Sequence, residues 1–250
     1  MKRATVWLLL AGGFAFLCFL VVLLPARLVY EWAAPDDLRA WFIDGTVFNG
    51  SAEEVVVGGF RVGRTRWQLK PVGLLIGRVS FELRARPEEG AIEADVALGV
   101  GRVWINDLDA TLPLSVAQGL LPIPEVRGDL GLQFDLIRLR DGWPERMVGI
   151  VTVDDVVLTQ PSVQPVGSYR ATFEDSATVP GDALQGAFRD TGGPLEVQGT
   201  LVLNADRTYL VEGRVLARDD APPAFHDSLQ YMLGAAGADG RRRFSFSGSL

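Results

Sequence analysis

Cysteine is almost missing from this chain of 250 residues, with Cys18 as its single example. Disulfide frameworks and thiolate-held metal sites are thereby excluded, because each needs several thiols. Histidine is equally scarce, His226 being alone, so acid–base and metal chemistry would fall to carboxylates. Positive charge is not in excess either. The formal net charge is −7, the wrong sign for gripping a phosphate backbone, and nucleic acid is excluded as a partner. No Gly-x-Ser-x-Gly elbow marks a nucleophile. Gly99-x-Gly101 lacks the third glycine of a dinucleotide fingerprint. The acidic doublets Asp107/Asp109 and Asp154/Asp155 lack a twelve-residue calcium loop and read as solvated turns. His226, Asp227 and Ser228 are consecutive, and helical neighbours point about 100° apart, so they do not form a triad. No catalytic, cofactor-binding or metal-ligating residue is expected, and the chain reads as a non-enzyme.

What the chain has is a long apolar run near its start. Residues 4–24 hold no charge, amide side chain or proline. At helical rise they reach about 32 Å, the thickness of a bilayer's hydrocarbon core. Trp7, Leu8, Leu9, Leu10, Phe14, Phe16, Leu17, Phe19, Leu20, Leu23 and Leu24 supply the bulk of that surface. The run exceeds the 7–15 apolar residues of a secretory signal, and Leu24 and Trp32 occupy the places where cleavage wants small residues. Cys18 lies too deep for a lipid-attachment signal. An uncleaved single-pass anchor is the expectation. Lys2 and Arg3 precede it, Pro25 stops it, and Tyr30 and Trp32 follow at headgroup depth. By the positive-inside rule residues 1–3 stay cytoplasmic and the remainder crosses the membrane.

Beyond the anchor lie about 225 residues, ample for a real core. With Lys2, Arg3 and Arg27 set aside, 21 basic residues face 31 acidic ones, a balance near −10. Residues 25–44 read as a juxtamembrane connection, with Asp36 or Asp37 capping a short helix that carries Leu38, Trp41 and Phe42. From residue 45 to 250 the hydrophobic period becomes two. Val79, Phe81, Leu83 and Ala85 oppose Ser80, Glu82, Arg84 and Arg86; Leu130, Leu132, Phe134 and Leu136 oppose Gly131, Gln133 and Asp135. Such alternation marks antiparallel strands with one face on a core and one in water. Turn clusters at 87–90, 141–144, 191–194 and 204–206 punctuate them. The expected fold is mainly β: ten or more strands in a meandering, curved or sandwich-like antiparallel domain, with one or two short helices. One helical turn is expected within residues 112–124. A better helix spans 221–234, with Phe225, Leu229, Met232 and Leu233 on one face. A faint internal echo links Val55–Val57 and the Gly63-x-x-Arg66 that follows to Val156–Leu158 and Gly167-x-x-Arg170.

One stretch departs from the acidic background. Residues 60–86 carry Arg61, Arg64, Arg66, Lys70, Arg78, Arg84 and Arg86 against Glu82 alone. Arg64, Arg66, Lys70, Arg78, Arg84 and Arg86 are the candidate contacts to an acidic protein or to anionic headgroups. The plainer reading is a solvated face that balances acids elsewhere in the domain.

The residues from Leu24 to the end resemble the type II secretion system protein N (GspN) family of Gram-negative bacteria. The likeness is carried by LPAR at 24–27, DGTVFNGSA at 44–52, RTRWQLKPVGLLIGR at 64–78 and LPL at 112–114. It continues through VGSYRATF at 166–173, residues 193–213 and the closing 246–250. Arg207 departs from it, standing at a hairpin turn where glycine is expected. The resemblance implies a single-pass inner-membrane protein with a cytoplasmic N-terminus and a periplasmic β domain. It further implies an accessory role in exporting folded proteins from the periplasm. Other inner-membrane platform subunits are the implied partners, with membrane lipid around the anchor, no cofactor, and no catalytic residue to transfer. A distant likeness to AsmA-type lipid-carrying β-groove proteins supplies the alternative: a curved sheet that opens its apolar face to acyl chains. The sequence assigns no oligomeric state.

Overall fold

Period-two alternation over short runs, separated by glycine, proline and aspartate turns, forces the backbone to pair with whatever run comes next. The computed structural model shows that outcome along nearly the whole chain. It describes residues 7, 12–13, 16, 19–20, 22–34, 38–70, 73, 78–119, 126–159, 163–174 and 183–249. The first half of the sheet comprises β1 (Leu38–Gly45), β2 (Asn49–Val57), β3 (Phe60–Lys70), β4 (Val79–Arg86), β5 (Ala91–Gly99) and β6 (Arg102–Pro113). The second comprises β7 (Val126–Arg140), β8 (Trp143–Leu158), β9 (Gln164–Phe173), β10 (Leu184–Gly192), β11 (Leu195–Leu203), β12 (Thr208–Ala217) and β13 (Arg242–Ser249). All thirteen form one sheet in strict chain order, each strand antiparallel to the next. The expected meander is therefore present as a single layer; the sandwich variant is not.

Register makes the sheet two-faced from edge to edge. One row of directly paired residues runs Ile43, Ala52, Thr65, Ala85, Ile92, Ala110, Leu132, Val151, Ala171, Phe188, Gly199, Gly213, Phe244. Paired residues share a face, and this face is apolar at every strand but β3. The adjacent row runs Asp44, Ser51, Arg66, Arg84, Glu93, Asp109, Gln133, Ile150, Thr172, Ala187, Thr200, Glu212, Ser245. That is the wet face.

A single layer must cover its apolar side with its own parts. Rings do much of it by lying over glycines of neighbouring strands. A Cβ on Gly149 would meet the Phe134 ring, one on Gly186 the Phe173 ring, one on Gly199 the Phe188 ring, and one on Gly213 the Phe244 ring. Phe134 and Phe173, with centroids 5.9 Å apart, are buried. A 3₁₀ turn (Leu114–Gly119) closes a cluster of Leu114, Val126 and Val156. Helix α2 (Pro223–Leu233) closes another of Ala217, Ala221 and Phe225. Curvature helps. Arg207, at φ +66, donates to the Asp141 carbonyl at 3.3 Å, joining turns four strand spacings apart, about 19 Å in a flat sheet.

The internal echo is a matched pair of bulges. Pairing slips at Val55 opposite Gly63 and again at Val156 opposite Gly167. Both glycines have positive φ and press against the end of the next strand, at Arg86 and Gly192. Two further expectations are corrected. The helix expected over Leu38, Trp41 and Phe42 is strand β1, because pairing with β2 outweighs local preference. The helix lies earlier, as α1 (Ala26–Ala33). On α2, Phe225 and Leu229 pack inward but Met232 points to solvent.

Among the described residues no helix is long and apolar enough to cross a membrane. Leu8, Leu9, Leu10, Phe14 and Leu17 lie outside the described residues, so the anchor expected at 4–24 is not shown. Of its described members, Trp7, Phe16, Phe19 and Leu20 are helical and exposed, while Leu23 and Leu24 lie beyond the helical residues.

Candidate functional site

The basic stretch folds into the β3–β4 hairpin, and its register decides what the cations meet. Arg64 stands opposite Arg86, Arg66 opposite Arg84, Gln68 opposite Glu82 and Lys70 opposite Ser80. Four guanidinium groups therefore form a two-by-two array on the wet face. Like charges placed directly across a ladder repel, and acids at the rim relieve part of that. Arg64 pairs with Glu53 at 2.7 Å and Arg84 with Glu82 at 2.5 Å. Lys70 donates to Asp95 at 2.5 Å, and that hydrogen bond pushes its pKa up. Arg78 lies over the Trp104 ring at 4.3 Å, a cation–π contact. Arg66 and Arg86 have no acid partner among the described residues. A hollow of about 570 Å³ lies over the array, bordered also by Asp44, Glu82 and Glu93. The structure thus brings Arg64, Arg66, Arg84 and Arg86 together and sets Lys70 and Arg78 apart in contacts of their own.

Sequence reading missed that arginine is paired with arginine elsewhere on the same face. Arg102 opposes Arg140, Arg138 opposes Arg146, Arg170 opposes Arg189, and Arg214 opposes Arg243. No spacing along the chain announces these pairs, because each joins two strands through their pairing register. The Arg66/Arg84 and Arg170/Arg189 pairs occupy equivalent places in the two echoing units. Arg140 is met by Glu145 at 2.8 Å, and the Nε of Arg138 is buried without a partner among the described residues.

Acidic side chains serve structure. Asp190 accepts from the Val197 amide at 2.9 Å and pairs with Arg218 at 2.5 Å, clamping the β10–β11 turn; the same bond raises the Arg218 pKa. Beneath it Tyr169 donates to the Val166 carbonyl at 2.9 Å. Burial, with the Asp190 charge adding and Arg218 opposing, pushes its phenol up to about 12. His226, Asp227 and Ser228 are all exposed on α2. Among the described residues no three of His, Cys, Asp and Glu gather as a metal site.

An open antiparallel sheet with one apolar face and one face of paired charges defines a class: a β scaffold whose working groups are surfaces. Within that class the chain belongs to the type II secretion system (T2SS) protein N family, whose model matches residues 38–245. Over the full length of both chains it is 24% identical to Type II secretion system protein N of Vibrio cholerae serotype O1 (strain ATCC 39315 / El Tor Inaba N16961). No solved structure matches it. The family is a component of secretion and not a known enzyme family.

Proposed function

We propose that this chain is an accessory inner-membrane component of the type II secretion machinery, a tethered periplasmic β module that docks on other platform subunits. Residues 1–3 stay in the cytoplasm, 4–24 span the membrane, 25–44 lead out and 45–250 complete the periplasmic body, with β1 bringing part of the connection into the sheet. Trp7, Phe16, Phe19 and Leu20, helical and open to their surroundings, support the anchor, as does the all-apolar run around them.

The observation that carries docking is the arginine array of β3 and β4, with Arg66 and Arg86 unmatched by described acids. Two guanidinium groups unmatched by described acids, on the polar face of the sheet, attract negative charge. An acidic surface on a neighbouring subunit is the partner that fits. Replacing Arg64, Arg66, Arg84 and Arg86 with serine in the full chain tests this. Loss of platform subunits from the purified complex, with the β circular-dichroism spectrum kept, is the expected result; unchanged recovery overturns it. Family membership does not favour the lipid-carrying groove, and stoichiometric phospholipid in the mass spectrum of the purified protein is the finding that would reinstate it.

A further inference from the structure

Four large apolar side chains on α1 and β1 stand open to solvent: Leu28, Trp32, Trp41 and Phe42. Trp32 is 77% and Phe42 80% exposed. Phe42 also adopts φ +54, the left-handed region that a bulky residue enters only under constraint. The constraint is visible. Trp41 is paired with Glu54 and Ile43 with Ala52 on either side of it, so the ladder holds the strained residue with its ring in the open.

These groups cluster where the apolar run ends. The Val47 amide donates to the Leu24 carbonyl at 3.0 Å, and Pro25 bridges Thr46, fastening the β1–β2 turn to that point. The Tyr30 hydroxyl accepts from the Ala40 amide at 3.0 Å and donates to the Leu38 carbonyl at 3.3 Å, locking α1 along the open edge of β1. With eight residues, α1 is about 12 Å long. Phe42 lies about 10 Å along β1 from Gly45. All four side chains are thus within about 13 Å of the end of the run, close to the depth of a headgroup layer. Aromatic rings with one apolar and one polar side favour that layer, and the patch continues the apolar surface of residues 4–24.

We propose that α1 and β1 form a foot that rests on the periplasmic headgroup layer of the phospholipid bilayer, with Trp32, Trp41 and Phe42 inserted and the β1 edge facing lipid. The proposal rests on the membrane-tethered reading above and adds how the sheet stands: β1 down, β13 away and free for protein partners. The test places single environment-sensitive fluorophores on cysteines in the full chain carrying Cys18→Ser. The sites are Leu20→Cys in the apolar run, Trp32→Cys and Phe42→Cys in the foot, and Tyr231→Cys, 92% exposed on α2, as a distant control. The protein is reconstituted alone in phosphatidylethanolamine–phosphatidylglycerol vesicles with headgroup-depth or mid-chain spin-labelled lipid. Expected are loss of fluorescence at 32 and 42 with the headgroup quencher, loss at 20 with the mid-chain quencher, and none at 231. Quenching at 20 with 32 and 42 as bright as 231 overturns the foot and leaves the anchor standing. No quenching at 20, 32 or 42 overturns the anchor and the foot with it.

Discussion

Single glycines set the fit of the apolar face. A Cβ on Gly213 would lie 2.5 Å from the Phe244 ring and 2.7 Å from the Gln198 carbonyl, and the backbone there has no room to yield. Gly213→Ala is expected to lower stability by about 1–3 kcal/mol, read as the shift in urea midpoint. Gly192→Ala, with open space around its Cβ, is expected to stay within about 0.5 kcal/mol. Tyr169 supplies the pH dependence. Its folded pKa of about 12 exceeds the unfolded value near 10, so the unfolded chain loses the proton first. Its contribution is fully present below pH about 10 and declines as pH rises towards 12, by roughly 2–3 kcal/mol in all. Stability of the parent against Tyr169→Phe between pH 9 and 12 checks this; parallel curves would count against it.

Among the elements, α2 has the most to lose from one substitution. Its attachment runs through Phe225, packed with Ala217 and Ala221 and flanked by Leu195 and Leu229, while Tyr231 and Met232 face solvent. Phe225→Ala is expected to cost about 3 kcal/mol locally and to release α2 from β12. Hydrogen exchange should then rise across α2 and at Ala217 and stay unchanged in β3. Faster exchange throughout the sheet would show that α2 is integral to the whole. The bidentate Tyr30 cap on β1 has the opposite economy, because one hydroxyl satisfies an acceptor and a donor on an edge that would otherwise invite another strand.

For the whole molecule, contacts run from each strand to the next, as in a repeat array in which neighbours stabilise neighbours. Among the described residues the two apolar clusters lie in the second half, around Val126, Val156, Ala217 and Phe225. In β2 to β5 the buried side chains are small: Ala52, Val55, Ala85, Ala94 and Ala97. Unfolding in urea is therefore expected in two phases, with amides of β2–β5 exchanging before those of β7–β12. A single transition with uniform exchange would contradict that picture.

The alternation of Val79 to Arg86, or of Leu130 to Leu136, was enough by itself to determine a meandering antiparallel β protein, since side-chain direction in a strand depends only on parity. Composition argues against nucleic acid, disulfides and thiolate metal sites for equally local reasons, and motif order along the chain carries the family resemblance. Strand β1 was misread because the Leu38, Trp41 and Phe42 spacing suits a helix, and only the partner β2 overrules it. The basic stretch was legible as residues but not as a site. Which arginine faces which depends on the register of β3 against β4, a tertiary fact that side-chain alternation along either strand does not fix. Tertiary structure alone decided that one sheet, not two, carries all thirteen strands, that rings over glycines cover it, and that arginines oppose arginines along its wet face. Those outcomes depend on register, and register is settled by bulges, turns and packing acting together across strands far apart in the chain.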